Sequence, residues 1–268
     1  MARFLVNASK VLGNPRMLAA YARWHASRIT SHGGALAVFG GRLCGFESFS
    51  EYWGVQENLP TPGEQALVHR MMIPGSLGLD VGGNLGQFAL LMSSAPGVFV
   101  HTFEPVSKTF QRLQANLMAN DRRNVTAWPL AICDQTGTIH MEMTSSAATN
   151  RINLTEGVAV PCSTLDAFCA KNQIDRVALL KIDVEGAEPM VLKGAHSLLA
   201  NRAIQTVLVE MCPANLQRFG FTPADVEREL AKHGYGLFRL RDDGGSGERL
   251  TGDALERMEL ENILAVPV

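Results

Sequence analysis

One ten-residue stretch, Leu77–Gly86, constrains this chain more than any other. It reads LGLDVGGNLG: an apolar run ending in Asp80, a glycine-rich turn, then an apolar-periodic segment over Leu85–Met92. That order spells strand, tight turn, helix. Gly82, Gly83 and Gly86 let the backbone pass close to a ligand, because no Cβ stands in the way. Their spacing fits the GxGxxG of dinucleotide-binding enzymes in no register. An acid at the strand's end, Asp80, would repel a pyrophosphate. It suits a ligand that carries positive charge or hydroxyls.

The next element narrows the ligand. Val98–Phe103, VFVHTF, is an apolar strand that ends in Glu104-Pro105. In a parallel βαβ unit both strand ends meet at one carboxyl edge, where an acid accepts hydrogen bonds from ribose hydroxyls. Glu104 follows the turn at the distance expected of a ribose-binding acid, roughly 20 residues on. That acid alone fits a nicotinamide cofactor as well as S-adenosylmethionine. The glycine spacing and Asp80 favour S-adenosylmethionine, with its ammonium, sulfonium and ribose.

DVGGNLG, FEP, TLDAF (Thr164–Phe168) and KIDVEGAE (Lys181–Glu188) together resemble the FkbM family of S-adenosylmethionine-dependent methyltransferases. The similarity runs from about Trp53 to the closing NILAVPV, Asn262–Val268. The family usually has Ala where this chain has Gly83. The resemblance implies an α/β, Rossmann-like class I methyltransferase fold. Its sheet is mostly parallel and seven-stranded, with one antiparallel strand and helices on both faces. The expected activity is O-methylation of a hydroxyl on a sugar or secondary metabolite, so the partner is a small-molecule or glycan acceptor. Three rivals are an N-methyltransferase, a catalytically silent cofactor-binding scaffold and a nicotinamide oxidoreductase.

Periodicity and breaker residues place the elements. Strands are expected at Leu77–Val81, Val98–Phe103, Val125–Ile132, Val177–Ile182 and Ile204–Met211. Helices are expected at Glu64–Met72, Leu85–Ser93, Ser107–Ala119, Thr164–Lys171, Ala187–Leu199 and Pro223–His233. Ser107, Thr164 and Thr222 are the expected N-caps. Thr138–Met143 alternates like a half-buried strand. The polar stretch Thr144–Glu156 reads as an acceptor-shaping loop. Tyr235–Leu240 and Asn262–Val266 read as a closing hairpin across Asp242–Gly247. Residues 1–58 are expected to form a helical extension and 59–268 the cofactor-binding domain.

The site residues follow from strand ends. Asp80 is expected to act on the methionine ammonium, directly or through water, and Gly82, Asn84 and Gly86 to line the turn. Glu104 is the ribose acid. Asp134, after the third strand, could contact adenine, although a D-x-x-G turn explains it equally well. Asp183 lies where strand four leaves the sheet, so it is the candidate base for a weakly nucleophilic hydroxyl. Glu185 is the second candidate, with a helix-dipole role as the plain alternative. Glu210 closes an apolar strand, where a buried acid needs a partner; acceptor binding is its expected role. Asp183 and Glu210 could instead share Mg²⁺, which takes oxygen ligands. His101, His196 and His233 read as packed or surface residues. Tyr52 and Trp53 either cover the site or pack in the core.

Composition closes off other classes. A net charge of −2 over 268 residues argues against a general nucleic-acid binder. No apolar run approaches the ~20 residues of a membrane span. Cys44, Cys133, Cys162, Cys169 and Cys212 are scattered without CxxC spacing, which fits reduced thiols in a cytoplasm rather than a zinc site. Arg3, Lys10, Arg16, Arg23, Arg28 and Arg42 all precede the first acid, Glu47. Met17, Leu18, Tyr21, Trp24 and Ile29 recur at helical spacing. That pattern suits a helix packed on the catalytic domain, a basic helix on an anionic membrane, or a targeting peptide.

Overall fold

Residues 11, 13–29, 34–142, 151–153 and 157–268 are described by a computed structural model. Among the described residues, a helix, Pro15–Ile29, precedes a short hairpin of β1 (Leu36–Val38) and β2 (Gly41–Leu43). Helices Phe49–Glu57 and Pro62–Met71 lead into β3 (Leu77–Val81). Helix Gln87–Met92, β4 (Phe99–Phe103), helix Ser107–Ala119 and β5 (Val125–Trp128) follow. Next come β6 (Ala131–Ile132), β7 (Gly137–Glu142), β8 (Arg151–Asn153) and β9 (Val158–Ser163). Helix Leu165–Lys171, β10 (Val177–Ile182), helices Glu188–Lys193 and His196–Ala200, and β11 (Ile204–Met211) form the next unit. Helices Pro213–Gln217 and Pro223–Ala231, β12 (Tyr235–Leu240), β13 (Ser246–Arg249), helix Asp253–Glu256 and β14 (Glu261–Pro267) complete the chain.

The main sheet has the order β13-β12-β14-β11-β10-β3-β4-β5. Strands β11, β10, β3, β4 and β5 are mutually parallel, while β14 runs antiparallel to both neighbours. The chain winds outward from β3 in two directions, through β4 on one side and β10 on the other. The crevice between their carboxyl ends is the place where open α/β sheets bind ligands. One sheet face packs Leu79, Val81, Leu180, Ile182, Val207 and Val209 into the larger core. The other packs Val100, Leu179, Leu208 and Leu264 under helices Pro62–Met71 and Gln87–Met92.

The sheet therefore has eight strands rather than seven. The extra strand, β13, pairs antiparallel on the edge of β12 and occupies part of the stretch read as a loop. The expected single strand Val125–Ile132 is two. Pro129 has no N–H to continue a ladder; beyond it β6 joins a second sheet, β6-β9-β7-β8. The expected helix Ala187–Leu199 is broken at Gly194, where a Cβ would stand 2.0 Å from the Cys133 carbonyl oxygen. Most of the polar stretch 144–156 lies outside the described residues, though β8 falls within it.

The caps show why helices start where they do. Thr61 and Glu64 form a reciprocal capping box, whereas Asp225 Oδ2 accepts from both the N–H and the hydroxyl of Thr222, each at 2.8 Å. Thr164 accepts from the Ala167 N–H at 3.0 Å. Ser107 is not a cap: Val106 holds that position without a side-chain bond. The Val106 N–H is instead taken by Glu104 Oε1 at 2.9 Å.

The N-terminal segment is a layer of the same body. Leu43, Phe46, Phe49, Tyr52 and Val55 share one buried cluster with Leu85, Leu90, Leu113 and Leu117. Asn116 of helix Ser107–Ala119 and Asn120, which caps its C-terminus, accept the N–H groups of Cys44 and Arg42 at 2.8 and 2.7 Å. Arg112 and Glu51, both mostly buried, pair at 2.7 Å. In helix Pro15–Ile29, Arg16 and Arg23 bond Glu57 and Gln56 of the neighbouring helix, each at 3.3 Å. Residues 1–10, with Arg3 and Lys10, lie outside the described part. Tyr52 and Trp53 pack in this layer, and neither lines the cavity described below.

Candidate functional site

The turn after β3 is shaped by what it touches. Gly82 and Gly86 have φ of +90° and +100°, and Asn84 has +45°, a region where Gly and Asn are the tolerated residues. The N–H groups of Gly82 and Gly83 both donate to the Phe103 carbonyl, at 3.1 and 2.8 Å. The turn is thereby fixed to the end of β4. A Cβ on Gly82 would lie 1.8 Å from the Asp183 carbonyl oxygen. One on Gly83 would lie 2.2 Å from Thr102 Oγ1. That hydroxyl donates to Asp80 Oδ2 at 2.9 Å, which gives a physical reason for Gly rather than Ala at residue 83.

Glu104 sits at the end of β4 and lines the cavity. Its Oε2 accepts from the Asn84 N–H at 3.1 Å, and its Oε1 from Val106. Burial pushes its carboxyl up to about 7, against the pull of those two backbone donors. Each oxygen keeps a second lone pair for a ligand hydroxyl. Asn84 Oδ1, in the same wall, is buried without a hydrogen-bond partner.

Asp80 is placed differently from the expectation. It is fully buried and does not line the cavity. Its neighbours are Thr102 and Lys181, whose Nζ lies 4.0 Å from Oδ1. Burial raises its pKa to about 6 in spite of both partners. Asp134 is also displaced: it is exposed, in the turn leading to β7, and outside the cavity wall. The D-x-x-G turn carries its side chain outward, and Leu130, Ala131 and Ile132 supply the wall there.

Asp183, Glu185 and Glu210 line the same cavity from the ends of β10 and β11, with the Asp183 backbone against Gly82. Asp183 Oδ2 accepts from Lys181 Nζ at 2.9 Å, and 32% of its side chain is exposed. Glu185 adopts φ +58° and accepts from Asn215 Nδ2 at 2.8 Å. Burial, then Asp183 and Glu188, push Glu185 up to about 7. Burial, then Asp183 and Glu185, push Glu210 up to about 9. The acid that ties the turn before helix Glu188–Lys193 is Glu188, not Glu185. Glu188 Oε1 accepts from the Val184 and Gly186 N–H groups, both at 3.1 Å.

Sequence reasoning assigned no role to Lys181 or Glu188. Among the described residues no cluster of three or more His, Cys, Asp or Glu could hold a metal ion. His101 accepts from Trp128 Nε1 at 3.0 Å, away from the site, and His196 and His233 pair with each other.

These walls enclose one large open cavity of about 1570 Å³. Its floor is the carboxyl edge of β3, β4, β10 and β11. Its far side is built by helix Pro15–Ile29 and helix Phe49–Glu57, through Tyr21, Trp24, Arg28 and Phe49. A single small-molecule pocket is typically about 300–1,000 Å³, so this space suits a donor and an acceptor together.

Residues 80–237 match the model of the methyltransferase FkbM domain. Hexuronic acid methyltransferase AglP of Haloferax volcanii is 28% identical over 193 residues, covering 69% of this chain and 74% of that protein. Methyltransferase 1 of Beauveria bassiana is 29% identical over 159 residues, covering 50% of this chain and 64% of the relative. Among solved structures, the N-terminal domain of EvdMO1, crystallised with S-adenosylhomocysteine and D-fucose, is 12% identical with a TM-score of 0.44. That alignment covers 95% of this chain and 97% of EvdMO1's domain. A TehB-like S-adenosylmethionine-dependent methyltransferase from Corynebacterium glutamicum is 12% identical with a TM-score of 0.43, over 82% of this chain and 96% of that one.

Proposed function

The chain belongs to the FkbM family of S-adenosylmethionine-dependent methyltransferases, and we propose from that premise that it methylates a hydroxyl of a sugar. The observation that carries the acceptor side is the partly exposed Asp183 carboxylate at the cavity wall, held by Lys181. A hydroxyl is a weak nucleophile, and a carboxylate in hydrogen-bond reach takes its proton as the new bond to carbon forms.

Glu104 and the turn after β3 fit the donor. Glu104 presents a carboxylate suited to two ribose hydroxyls, and Asn84 a carbonyl oxygen without a partner. Gly82, Asn84 and Gly86 shape the turn in front of the methionine portion. Bound S-adenosylmethionine supplies an electrophilic methyl on a sulfonium. Asp183 accepts the acceptor's proton, while Glu185 and Glu210 bind its other hydroxyls. Asp80 serves the donor wall at one remove, through Thr102 and the turn.

The wall around the acceptor is rich in acids: Asp183, Glu185, Glu210, Asp242 and Glu261. The basic residue among the described lining is Arg28, on the far side. A carboxylate-bearing sugar would add a further acid to a wall where crowding already pushes Glu185 and Glu210 upward. An uncharged hydroxyl acceptor fits this wall better than the hexuronic acid named for the Haloferax relative.

The test is a panel of neutral hexosides, amino sugars and hexuronic acids incubated with S-adenosylmethionine, with S-adenosylhomocysteine and methylated product followed by mass spectrometry. Transfer to the oxygen of a neutral sugar supports the reading. Transfer confined to nitrogen or to a carboxylate overturns it. Parallel reactions with chelator, and with added Mg²⁺, decide whether Asp183 and Glu210 work with a cation.

A further inference from the structure

We propose that Lys181 is a positioning residue of the methyl transfer: Asp80, itself bonded by Thr102, places a carboxylate 4.0 Å beneath its ammonium, and the ammonium holds the Asp183 carboxylate at the cavity wall. The inference rests on the reading of Asp183 as the group that meets the acceptor hydroxyl.

Three neighbouring strands build the device. Thr102 on β4 lies opposite Asp80 on β3, and Asp80 opposite Lys181 on β10. The three side chains form one row across the sheet, on a face otherwise packed with Val100, Leu179, Leu208 and Leu264. Thr102 Oγ1 donates to Asp80 Oδ2 at 2.9 Å, and Lys181 Nζ stands 4.0 Å from Asp80 Oδ1. The ammonium then reaches along its own strand and donates to Asp183 Oδ2 at 2.9 Å. The Phe88 ring covers it, with its centroid 4.7 Å from Nζ.

Neither end of this row is explained by stability or by ligand contact alone. Lys181 is 3% exposed, and neither it nor Asp80 lines the cavity. A buried ion pair is a weak source of stability, and a well-packed apolar pair would serve the fold as well or better. The row's one outlet is Asp183, whose other oxygen, Oδ1, has no hydrogen-bond partner among the described residues. The donated hydrogen bond fixes the carboxylate's direction and leaves that oxygen for a substrate proton.

Charge gives the second half of the role. Around Asp183 stand Asp80, Glu185, Glu188 and Glu210, all carboxylates. Burial alone would lower the Lys181 pKa, but Asp183 and Asp80 outweigh it and keep the ammonium charged. Without that cation, the Asp183 carboxylate would face Asp80, Glu185, Glu188 and Glu210 with no opposite charge bonded to it.

Two variants test this. Lys181→Met removes the charge, and Lys181→Arg keeps it in a different shape. The readouts are kcat across pH with a methyl hexopyranoside as acceptor, S-adenosylhomocysteine affinity by calorimetry, and thermal stability. In Lys181→Met, kcat is expected to fall ~10²-fold or more while S-adenosylhomocysteine affinity stays within about twofold. The acidic limb of the kcat profile is expected to move up by about one pH unit or more. Lys181→Arg is expected to keep the limb near its wild-type place and to recover part of kcat. A merely structural lysine would lower thermal stability and leave the limb where it was. An unmoved limb, or a kcat loss matched by lost S-adenosylhomocysteine affinity, overturns the proposal. If Lys181→Met does not fold, Asp80→Asn/Lys181→Met leaves no unpaired buried charge and is judged by the same criteria. If the wild type binds S-adenosylhomocysteine but methylates no hexopyranoside, the hydroxyl reading fails and the positioning role is decided by carbon-13 NMR of aspartate-labelled protein. There the Asp183 carboxyl signal, assigned with Asp183→Asn, must titrate at higher pH in Lys181→Met; an unchanged titration overturns the proposal.

Discussion

Glu104 Oε2 accepts the Asn84 N–H at 3.1 Å, so the acid at the end of one strand holds the turn at the end of the next. The same carboxylate takes the Val106 N–H and opens helix Ser107–Ala119. Ligand contact and local architecture therefore meet in one side chain. Glu104→Ala is expected to weaken S-adenosylhomocysteine binding by about 1–3 kcal/mol, the worth of charge-assisted hydrogen bonds together with a loosened turn. Glu104→Gln keeps the shape and one carbonyl oxygen, so it should lose less. Calorimetry on both folded variants decides; unchanged affinity in Glu104→Ala removes the ribose role.

The strands that carry the site were legible because their signals are local. Val177–Ile182 and Ile204–Met211 are apolar runs between breakers, and β10 and β11 have those bounds. Glu104, Asp183, Glu185 and Glu210 could be placed on the cavity wall by counting from strand ends. The missing parts depend on partners distant in sequence. Lys181 in KIDVEG reads as an alternating outward residue until the register sets Asp80 beside it. Glu188 has no role in the sequence until the folded-back Val184 and Gly186 N–H groups supply its bonds. Strand ends and turns draw attention to acids, so Asp80 is expected at the ligand, directly or through water, and Asp134 either at adenine or as part of its D-x-x-G turn. Burial in one case and outward projection in the other are decided by packing. The β1–β2 hairpin has strands of three residues each, too short for an alternation to register.

The pH dependence of stability has an unusual sign. In Glu104, Glu185 and Glu188 burial raises the carboxyl from 4.5 to about 7, and in Glu210 to about 9. The folded state thus binds more protons than the unfolded state once pH passes the ordinary carboxylate range. Stability falls with pH wherever that holds. The unliganded protein is expected to be most stable near pH 5 and to lose melting temperature steadily toward pH 8, read by differential scanning calorimetry. Glu210→Gln should flatten the slope and stabilise the protein at pH 8. A melting temperature that rises over this interval contradicts the burial of these acids.

The N-terminal layer is expected to be required for folding. Removing residues 1–58 would uncover Leu85, Ala89, Leu90, Leu113 and Leu117, all now buried against Leu43, Phe46, Phe49 and Tyr52. The truncated chain should be insoluble or bind a hydrophobic dye. Phe49→Ala, a milder probe, should cost about 3–5 kcal/mol, the usual loss for truncating a buried aromatic. Urea denaturation of the full chain measures it. A soluble, cooperatively melting fragment 59–268 would show instead that the layer is a separable cap.

The chemical step turns on Asp183, and the amide substitution isolates it. Asp183→Asn keeps the volume and one acceptor oxygen but cannot take a proton. It also leaves Lys181 without the partner at 2.9 Å, while Asp80 remains at 4.0 Å. Turnover is expected to fall by ~10²–10⁴-fold, the contribution of a positioned base. S-adenosylhomocysteine affinity should hardly move, because the Asp183 side chain bonds Lys181 and takes no part in the bonds of Glu104 or of the Gly82–Gly86 turn. Thermal stability should change little at pH 8, since the variant removes a charge from a cluster that repels itself. If turnover stays near the wild-type rate, Asp183 is not the base. Glu185→Gln and Glu210→Gln, assayed with the same acceptor, then identify which neighbouring carboxylate is. Of these two, Glu185 accepts a hydrogen bond from Asn215. Burial, then Asp183 and Glu185, push Glu210 up to about 9, a direction that disfavours it as the base. A loss seen in Glu185→Gln alone would therefore move the proton to Glu185 and leave Lys181 and Asp183 as its electrostatic support.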